Sequence, residues 1–474
     1  MSVSEEGRSK ARWPGLDRVA AAWRSGPLGG PGFRLLAFGQ FASTIGDYCY
    51  AVALPWLVLS GGGSTASLGI VLACYGIPRA LLTVPGGALT DRFSPRLVML
   101  CADFARCALT AVLAGLAAAH VSSVAALAPV AVLLGCAAAL FMPASMTMVP
   151  SLVEPSRLTA ANAVYVGFNQ AGSMLGPLLG GVLVATTGPG SAFAVDAGTY
   201  LASAITLGLI PVRPHPVAPE PGSADAEAPA QASSAADATD AADVTAPADA
   251  TAPAVPGSVW QLLRQSRVLQ ILLIVVLSTN FALYAITEVA LPALAHARFG
   301  AGGYGVVLTC VAVAALAGAL IVGKLGDRFR PVMVIAVAIL AAGAAIAAVP
   351  FLGGLPGAAA GMAVFGVALG FDNVMAATVI QRWAPPALLG RVWGLLTLAS
   401  AGSFPVATFV AGLLARHLGP TPIFPISGAL LALSMAYGLT QREFRDFGAG
   451  HGEIAGKENK EELSADKGPS PAGA

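Results

Sequence analysis

Long apolar runs follow one another from residue 33 to residue 440, and short polar turns separate them. A helix needs about 20 apolar residues to cross the hydrocarbon core of a bilayer. By that measure the pattern predicts twelve spanning helices, six on each side of a long polar stretch. The predicted spans are 33–60, 66–90, 97–119, 122–149, 160–186 and 190–211, then 268–294, 303–326, 331–352, 356–381, 390–416 and 421–440.

The polar segments outside these spans predict the rest of the organisation. Residues 1–32 are polar and basic and lack the continuous apolar core of a signal peptide. Residues 212–258 are dominated by Ala, Pro, Asp and Ser, which cannot bury enough apolar surface to fold. We therefore expect a cytoplasmic N-terminal segment (1–32), a first six-helix half (33–211), a disordered linker (212–258), a second half (259–440) and a disordered tail (441–474).

Composition supports a membrane protein. The chain is 56% apolar and only 11% charged, whereas a soluble chain carries roughly a quarter charged residues. Basic residues collect in the loops on one side, while the opposite loops hold mainly Arg298 and Arg416. Because cytoplasmic loops carry the excess of Lys and Arg, we expect a multi-pass protein of the cell (inner or plasma) membrane with both termini in the cytoplasm.

Several kinds of chemistry leave no signal in the chain. The net charge of +1 argues against a nucleic-acid partner. No GxGxxG motif opening a helix, P-loop or HExxH motif is found, and no nucleophile–base or metal-ligand cluster is visible. The six cysteines all lie in apolar segments, where they are interpreted as small buried residues. We expect no enzyme activity, no cofactor and no metal.

A polar motif occurs twice at a fixed spacing. Residues 87–92 (Gly-Ala-Leu-Thr-Asp-Arg) recur as residues 323–328 (Gly-Lys-Leu-Gly-Asp-Arg), and each copy follows a long apolar stretch. In a membrane protein, such a repeat is typical of two halves that move against each other around a central site. The pattern therefore predicts an all-α membrane protein made of two pseudo-symmetric six-helix halves.

The duplicated motif also predicts a cytoplasmic gate. A carboxylate at a helix end can face the positive N-terminus of a neighbouring helix or pair with a basic residue of the other half, so Asp91 and Asp327 are candidate latches for one conformation. The alternative is a pair of ordinary helix-capping turns, with the arginines as positive-inside anchors. The candidate gate residues are Gly87, whose small size admits a neighbouring backbone, Asp91 and Arg92, and their counterparts Gly323, Asp327 and Arg328.

A second glycine motif lies in the fifth predicted span. It comprises Gly172, Gly176, Pro177, Gly180 and Gly181. Glycines four apart make a flat surface against which another helix packs closely, and proline bends the span. The functional interpretation is a surface that seals the closed transporter, and the alternative is ordinary small-residue packing.

These features together resemble the major facilitator superfamily over residues 33–440. The GxxxGPxxGG pattern is one that the family associates with exporters. The segments PSRLTAANAVYVGFNQAG and PPALLGRVWGLLTLASAG are similar to the branch that contains enterobactin-type siderophore exporters and macrolide-efflux proteins. The resemblance implies the fold of that superfamily and outward transport. One feature departs from many drug/proton antiporters of the family, because the predicted fourth span contains no arginine.

Ionisable residues deep in the spans are candidates for transport, because an unpaired charge in the membrane is costly. Asp47 follows Arg34 in the first span, and Arg79 precedes Asp91 in the second. At about 1.5 Å of rise per residue, these two stretches place Asp47 and Arg79 roughly 18–20 Å from the cytoplasmic edge. We therefore predict a buried Asp47–Arg79 pair, either a protonation site at Asp47 or a static lock.

Other acids occupy further spans. Glu288 in span seven and Asp372 in span ten are candidate proton carriers or cation-binding anions, the alternative for each being an interhelical hydrogen bond. Asp103 and Arg106 are three positions apart and are expected to form a structural pair on one helix face. Asp196, near the outer end of span six, is expected to be solvated.

The sequence thus predicts a secondary active transporter that exports a small apolar or amphipathic molecule, drug-like or siderophore-like, by alternating access as a proton antiporter. We expect the bilayer, a small-molecule substrate and protons as partners, and a monomeric state. Two alternatives stay open at this stage. The first is an importer or facilitator of a small nutrient, and the second is a membrane sensor or assembly partner that transports nothing.

Overall fold

A computed structural model describes residues 26–210, 263–264, 266–325, 331–383 and 386–445. The described residues fold as long α-helices joined by short turns, and no strand occurs within these ranges. The predicted all-α class is confirmed. The predicted linker 212–258 and most of the predicted tail lie outside the described residues.

The first half contains six long helices whose starts follow local sequence signals. Gly30 and Pro31 begin the first, and Ser64 caps the second by accepting a hydrogen bond from the Ser67 amide at 3.2 Å. Proline follows Ser94 and Gly188 at the first position of the third and sixth helices, where its missing N–H costs nothing. The helices are α1 (Pro31–Ser60), α2 (Thr65–Arg92), α3 (Pro95–Ala118), α4 (Val124–Leu152), α5 (Leu158–Thr187) and α6 (Pro189–Leu209).

The second half repeats this arrangement with one irregularity. Its first rod, α7, runs over Arg267–Arg298 and contains a π-helical segment, Ala285–Ala290. The others are α8 (Gly300–Leu325), α9 (Pro331–Ala348), α10 (Gly354–Trp383), α11 (Pro386–Leu418) and α12 (Ile423–Thr440), followed by the short α13 (Arg442–Arg445).

Eleven of these rods are long and apolar enough to cross a membrane. The twelfth, α5, has 30 residues and packs between α1 and α8. Its sequence includes Asn162, Asn169 and Gln170, which lower its hydropathy. The twelve rods fit the predicted two halves of six.

Helix packing shows the internal symmetry directly. In the first half, α1 packs on α5 and α6, α2 packs on α4, and α3 packs on α4 and α6. Each pairing recurs six helices later, so that α7 packs on α11 and α12, α8 on α10, and α9 on α10 and α12. The halves meet through α2 with α11 and α5 with α8, which are again counterparts. The duplicated sequence has therefore produced a duplicated structure.

Candidate transport cavity

A cavity of about 620 Å³ lies between the two halves. Its walls combine aromatic and polar side chains with charged groups. The lining includes Gln40, Tyr48, Tyr75, Asn169, Gln170 and Phe404, together with the charged residues Asp47, Arg79, Arg106 and Glu288. A concave pocket of this size, lined by aromatic side chains and convergent polar groups, is typical of a small-molecule site.

The cavity opens towards one end of the helix bundle. Met146 and Val166 line it near the end of α4 and the start of α5, and they are 66% and 64% exposed. At the opposite end, the lining residues Leu54 and Leu72 are buried. We call the first the open end and the second the closed end.

Glycines close the second end by direct backbone contact between the halves. A Cβ atom added to Gly412 in α11 would lie 3.0 Å from the Cα atom of Gly69 in α2. A Cβ added to Gly305 in α8 would likewise lie 3.0 Å from the Cα atom of Gly181 in α5. Gly69 and Gly305 occupy equivalent positions in the two copies of the repeat. Two symmetric contacts that only glycine permits therefore join the halves at this end.

Aromatic side chains and a histidine cover the same end. The ring of Trp56 in α1 stacks on Tyr304 in α8 at 6.3 Å and meets His296 in α7 edge-on at 5.4 Å. The Ser60 hydroxyl is 3.3 Å from Nε2 of His296. These four side chains join the two halves across the closed end of the cavity.

The predicted buried pair of Asp47 and Arg79 is wrong for this conformation. Both side chains are exposed, and both line the cavity. Among the described residues, ion pairs within 4.0 Å join Arg106 to Asp103 and Arg157 to Glu154. Asp47 instead accepts a hydrogen bond from the Tyr200 hydroxyl of α6, and the Arg79 guanidinium lies 5.8 Å from the Tyr75 ring. The two groups share the cavity but do not touch.

The pair of Asp103 and Arg106 is present as expected, and its arginine lines the cavity. Asp103 is 0% exposed and accepts a hydrogen bond from Arg106. The Arg106 guanidinium is sandwiched between the rings of Phe141 at 3.9 Å and Tyr200 at 4.4 Å. Arg106 therefore connects a buried acid to the ring that holds Asp47.

Glu288 lies in the π-helical segment of α7 and lines the cavity. The Tyr304 hydroxyl donates a 2.7 Å hydrogen bond to the Thr287 carbonyl in the same segment. A π-helical segment inside an α-helix is frequently found at functional sites. This segment connects the acid in the cavity to Tyr304 at the closed end.

Asp372 is not brought to the site. It is half-buried in α10 and is absent from the cavity lining, and the part of the chain that the structure describes offers its carboxylate no hydrogen bond or ion pair. The predicted interhelical hydrogen bond is therefore missing here. Its role as a carrier stays a prediction.

The expectation for Asp196 is wrong. The side chain is 0% exposed in α6, and neither carboxylate oxygen has a hydrogen-bond partner. It packs against Gly46 of α1, next to Asp47 in the chain. Sequence reasoning also missed Tyr200, four positions after Asp196 and therefore on the same face of α6. An Asp-x-x-x-Tyr spacing in an apolar span is the signal that could have found both.

The fifth-span glycines form a close-packing surface. A Cβ added to Gly176 would lie 2.9 Å from the Ile45 carbonyl oxygen, and one added to Gly180 would lie 2.8 Å from the Cα atom of Cys49. Gly172 meets Thr44 in the same way, so three of these glycines face α1. Gly181 faces α8, where Pro177 also meets Gly305. The motif therefore packs α5 against α1 within the first half and against α8 of the second half at the closed end.

The described part of the predicted gate, which comprises Gly87, Arg92 and Gly323, lies at the open end. Arg92 is exposed, and the side chain of Asp91 and both Asp327 and Arg328 lie outside the described residues. A Cβ added to Gly87 or to Gly323 would meet nothing within 4 Å. Within the described residues, the expectation that these two glycines admit a neighbouring backbone is thus wrong in this conformation.

The chain matches the model of a known protein family. The model of the family described as Major Facilitator Superfamily matches residues 36–304 and 298–455. These two stretches cover both halves of the chain, in agreement with the resemblance carried by the gate and glycine motifs.

Two similar proteins are exporters by name. The multidrug efflux pump Tap of Mycolicibacterium fortuitum is 26% identical over 410 residues, covering 85% of this chain and 92% of the relative. The enterobactin exporter EntS of Citrobacter koseri is 25% identical over 429 residues, covering 88% of this chain and 93% of the relative. The predicted similarity to an enterobactin-type exporter branch is confirmed.

Solved structures support the fold. The nucleoside transporter NupG superposes with a TM-score of 0.63 at 14% identity, covering 86% of this chain and 98% of that one. A bacterial homologue of the iron transporter ferroportin, in an inward-facing state, superposes with a TM-score of 0.62 at 14% identity and the same coverage. At this identity, the likeness concerns the fold and carries nothing about cargo.

Proposed function

Because the chain belongs to the major facilitator superfamily, we propose that it exports a small apolar or amphipathic molecule, drug-like or siderophore-like, across the cell membrane in exchange for protons. The observation that carries this proposal is a cavity between two repeat-related halves that is sealed at one end and open at the other. The names of the relatives Tap and EntS support outward transport. The protein acts as a multi-pass membrane transporter, not as an enzyme.

The proposal assigns a side to each end. The open end carries Gly87 and Gly323 of the gate motif, and Arg92, Arg96 and Arg157 lie at the same end. An excess of basic residues marks the cytoplasmic side. In this assignment both termini are cytoplasmic, the cavity takes cargo from the cytoplasm or inner leaflet, and the glycine contacts keep the outside shut. The working unit is a single chain, since the cavity is formed within one copy.

Protons are the proposed coupling ions. Asp47 and Glu288 line the cavity beside Arg79, and Asp372 lies in α10 away from it. Carboxylates in a membrane are costly when charged and unpaired. In this scheme, a proton binds one of these carboxylates in one conformation and leaves it in the other. The proton gradient then determines the direction in which the two halves move. Asp47 is the leading candidate because it faces both the cavity and the Tyr200–Arg106 stack.

Removing a coupling acid is expected to abolish accumulation against a gradient. We expect Asp47→Asn or Glu288→Gln to lower accumulation driven by a pH gradient by at least about tenfold, which corresponds to about 1.4 kcal/mol. The measurement uses proteoliposomes with an imposed pH gradient. Its probes are ethidium, an amphipathic cation, and enterobactin, tested separately. Asp372→Asn is measured in parallel and is expected to have the smaller effect.

Accumulation that is equally strong after the pH gradient is collapsed would argue against proton coupling and would favour a facilitator. Direction is tested in cells that produce the protein, where probe depletion supports export. Probe accumulation that depends on the protein would instead favour an importer.

The gate motif is proposed to latch one conformation. Asp91→Asn and Asp327→Asn are each expected to reduce transport roughly two- to thirtyfold, since a charge at a helix terminus contributes about 0.5–2 kcal/mol. Membrane expression should stay near that of the parent. Glu154→Gln is the matched control, because Glu154 is an exposed acid at the same end. Parental transport in both aspartate variants would reduce the motif to helix-capping turns.

A further inference from the structure

The first observation is a carboxyl group that is sealed inside the first half. Asp196 is 0% exposed, and both of its oxygens lack a hydrogen-bond partner. The space it occupies exists because residue 46 is glycine, since a Cβ there would overlap the Asp196 carboxylate. Asp47, the next residue of α1, faces the cavity. Asp196 therefore lies directly behind the acid that the cavity exposes.

The second observation concerns charge balance around this position. Asp103 uses Arg106 as its ion-pair partner. The Asp47 carboxylate accepts a hydrogen bond from the Tyr200 hydroxyl and interacts electrostatically with both Arg106 and Arg79. Among the described residues, no further cation reaches Asp196. An ionised carboxylate without hydrogen bonds or a counter-ion is strongly unfavourable when buried, whereas its neutral acid is tolerated.

The groups that face Asp196 come from three helices. Arg106 is the one cation among those described, and it already pairs with Asp103. The Thr199 hydroxyl donates to the backbone carbonyl of Asp196 at 2.8 Å. The nearest acid, Asp47, adds a like charge, so the balance favours a neutral Asp196. The titratable and charged neighbours are Asp47, Cys49 and Tyr50 from α1, Arg106 and Cys107 from α3, and Tyr200 from α6 itself.

We propose that Asp196 holds a proton in this conformation and passes it to Asp47 during transport. In that step the O–H bond of the Asp196 carboxyl breaks, an O–H bond forms on the Asp47 carboxylate, and the negative charge moves from Asp47 to Asp196. No other reactant is needed. The two acids share one proton, stored away from the cavity while Asp47 is hydrogen-bonded by Tyr200. The coupling role rests on the proposed function, but the bound proton does not.

The bound proton is tested without cargo by infrared spectroscopy of the purified full-length protein with carboxyl-¹³C aspartate. The parent should show a protonated-carboxyl carbonyl band that is sensitive to the label. The band should vanish in Asp196→Asn and persist in both Asp47→Asn and Asp103→Asn. If Asp196→Asn folds poorly, Asp196→Glu provides the second test, since its band should no longer respond to labelled aspartate. A labelled band that survives at full intensity in Asp196→Asn or Asp196→Glu, or its absence in the parent, would overturn the proposal.

The coupling role is tested by counting protons moved per ethidium transported in weakly buffered proteoliposomes. We expect that ratio to fall at least tenfold in Asp196→Asn. A parental ratio in this variant would overturn the transfer step. Absence of proton movement in the parent itself would defeat proton exchange, and the infrared band of Asp196 would still report its bound proton, so that the two failures are distinguishable.

Discussion

Replacing Gly305 with alanine is expected to force the closed end of the cavity open and to reduce transport at least about fivefold. The added methyl group would overlap the Pro177 carbonyl oxygen and lie 3.0 Å from the Cα atom of Gly181. Both neighbours are backbone and cannot turn aside. Overpacking of this kind costs about 1–3 kcal/mol, which changes the ratio of two conformations by roughly 5- to 150-fold.

A matched control lies on the same helix. A Cβ added to Gly302 has its nearest neighbour, the Ala185 Cβ, at 3.9 Å, so Gly302→Ala should behave like the parent. The measurement is the maleimide reaction rate of a cysteine placed at Ala301, which is 4% exposed, in a background without native cysteines. We expect a faster reaction in Gly305→Ala alone. Equal rates in the two alanine variants would show that this contact does not hold the end shut.

Breaking the pair of Asp103 and Arg106 from one side is expected to cause the largest loss of stability. Arg106→Gln leaves Asp103, which is 0% exposed, without its cation and removes the group between Phe141 and Tyr200. Uncompensated charges of this kind cost about 3–5 kcal/mol. Total stabilities of proteins are only about 5–15 kcal/mol. We therefore expect poor membrane expression and a lower melting temperature in detergent.

The double variant Asp103→Asn/Arg106→Gln should recover part of the stability lost in Arg106→Gln, because no charge is then left unpaired. Arg157→Gln is the control, since Arg157 and Glu154 have the same spacing but are exposed and 3.7 Å apart. An exposed pair contributes about 0–1 kcal/mol. Additive losses in the double variant would show that the two buried side chains do not depend on each other.

The spans and the repeat were predictable because both depend on features that are local in the sequence. Hydropathy placed the second span at 66–90, and the helix is Thr65–Arg92. The spacing of the repeat also relates Gly69 to Gly305, whose contacts with the opposite half became visible only in the fold. Apolar length determines which segments enter a membrane, so these elements needed no knowledge of the other helices.

The site was less predictable, because it depends on relations between helices. The rise per residue gave the depth of Asp47 and Arg79, but it could not tell which helix faces meet or how far apart an open cavity holds them. The burial of Asp196 in α6 depends on Gly46, a glycine of a different helix, α1. The π-helical segment that carries Glu288 has no signature in the apolar pattern. Pairing, burial and cavity shape therefore required the assembled fold.

Distances at the two ends of the cavity test alternating access most directly. Spin labels at Thr187 and Ala297 report the closed end, and labels at Ser156 and Gln381 report the open end, each pair joining the two halves. Distance distributions are compared between the parent and Gly305→Ala in lipid nanodiscs. Alternating access predicts opposite changes, with the first distance increasing as the second decreases. Two distances that stay constant, or that increase together, would contradict a transporter whose halves rock around this cavity.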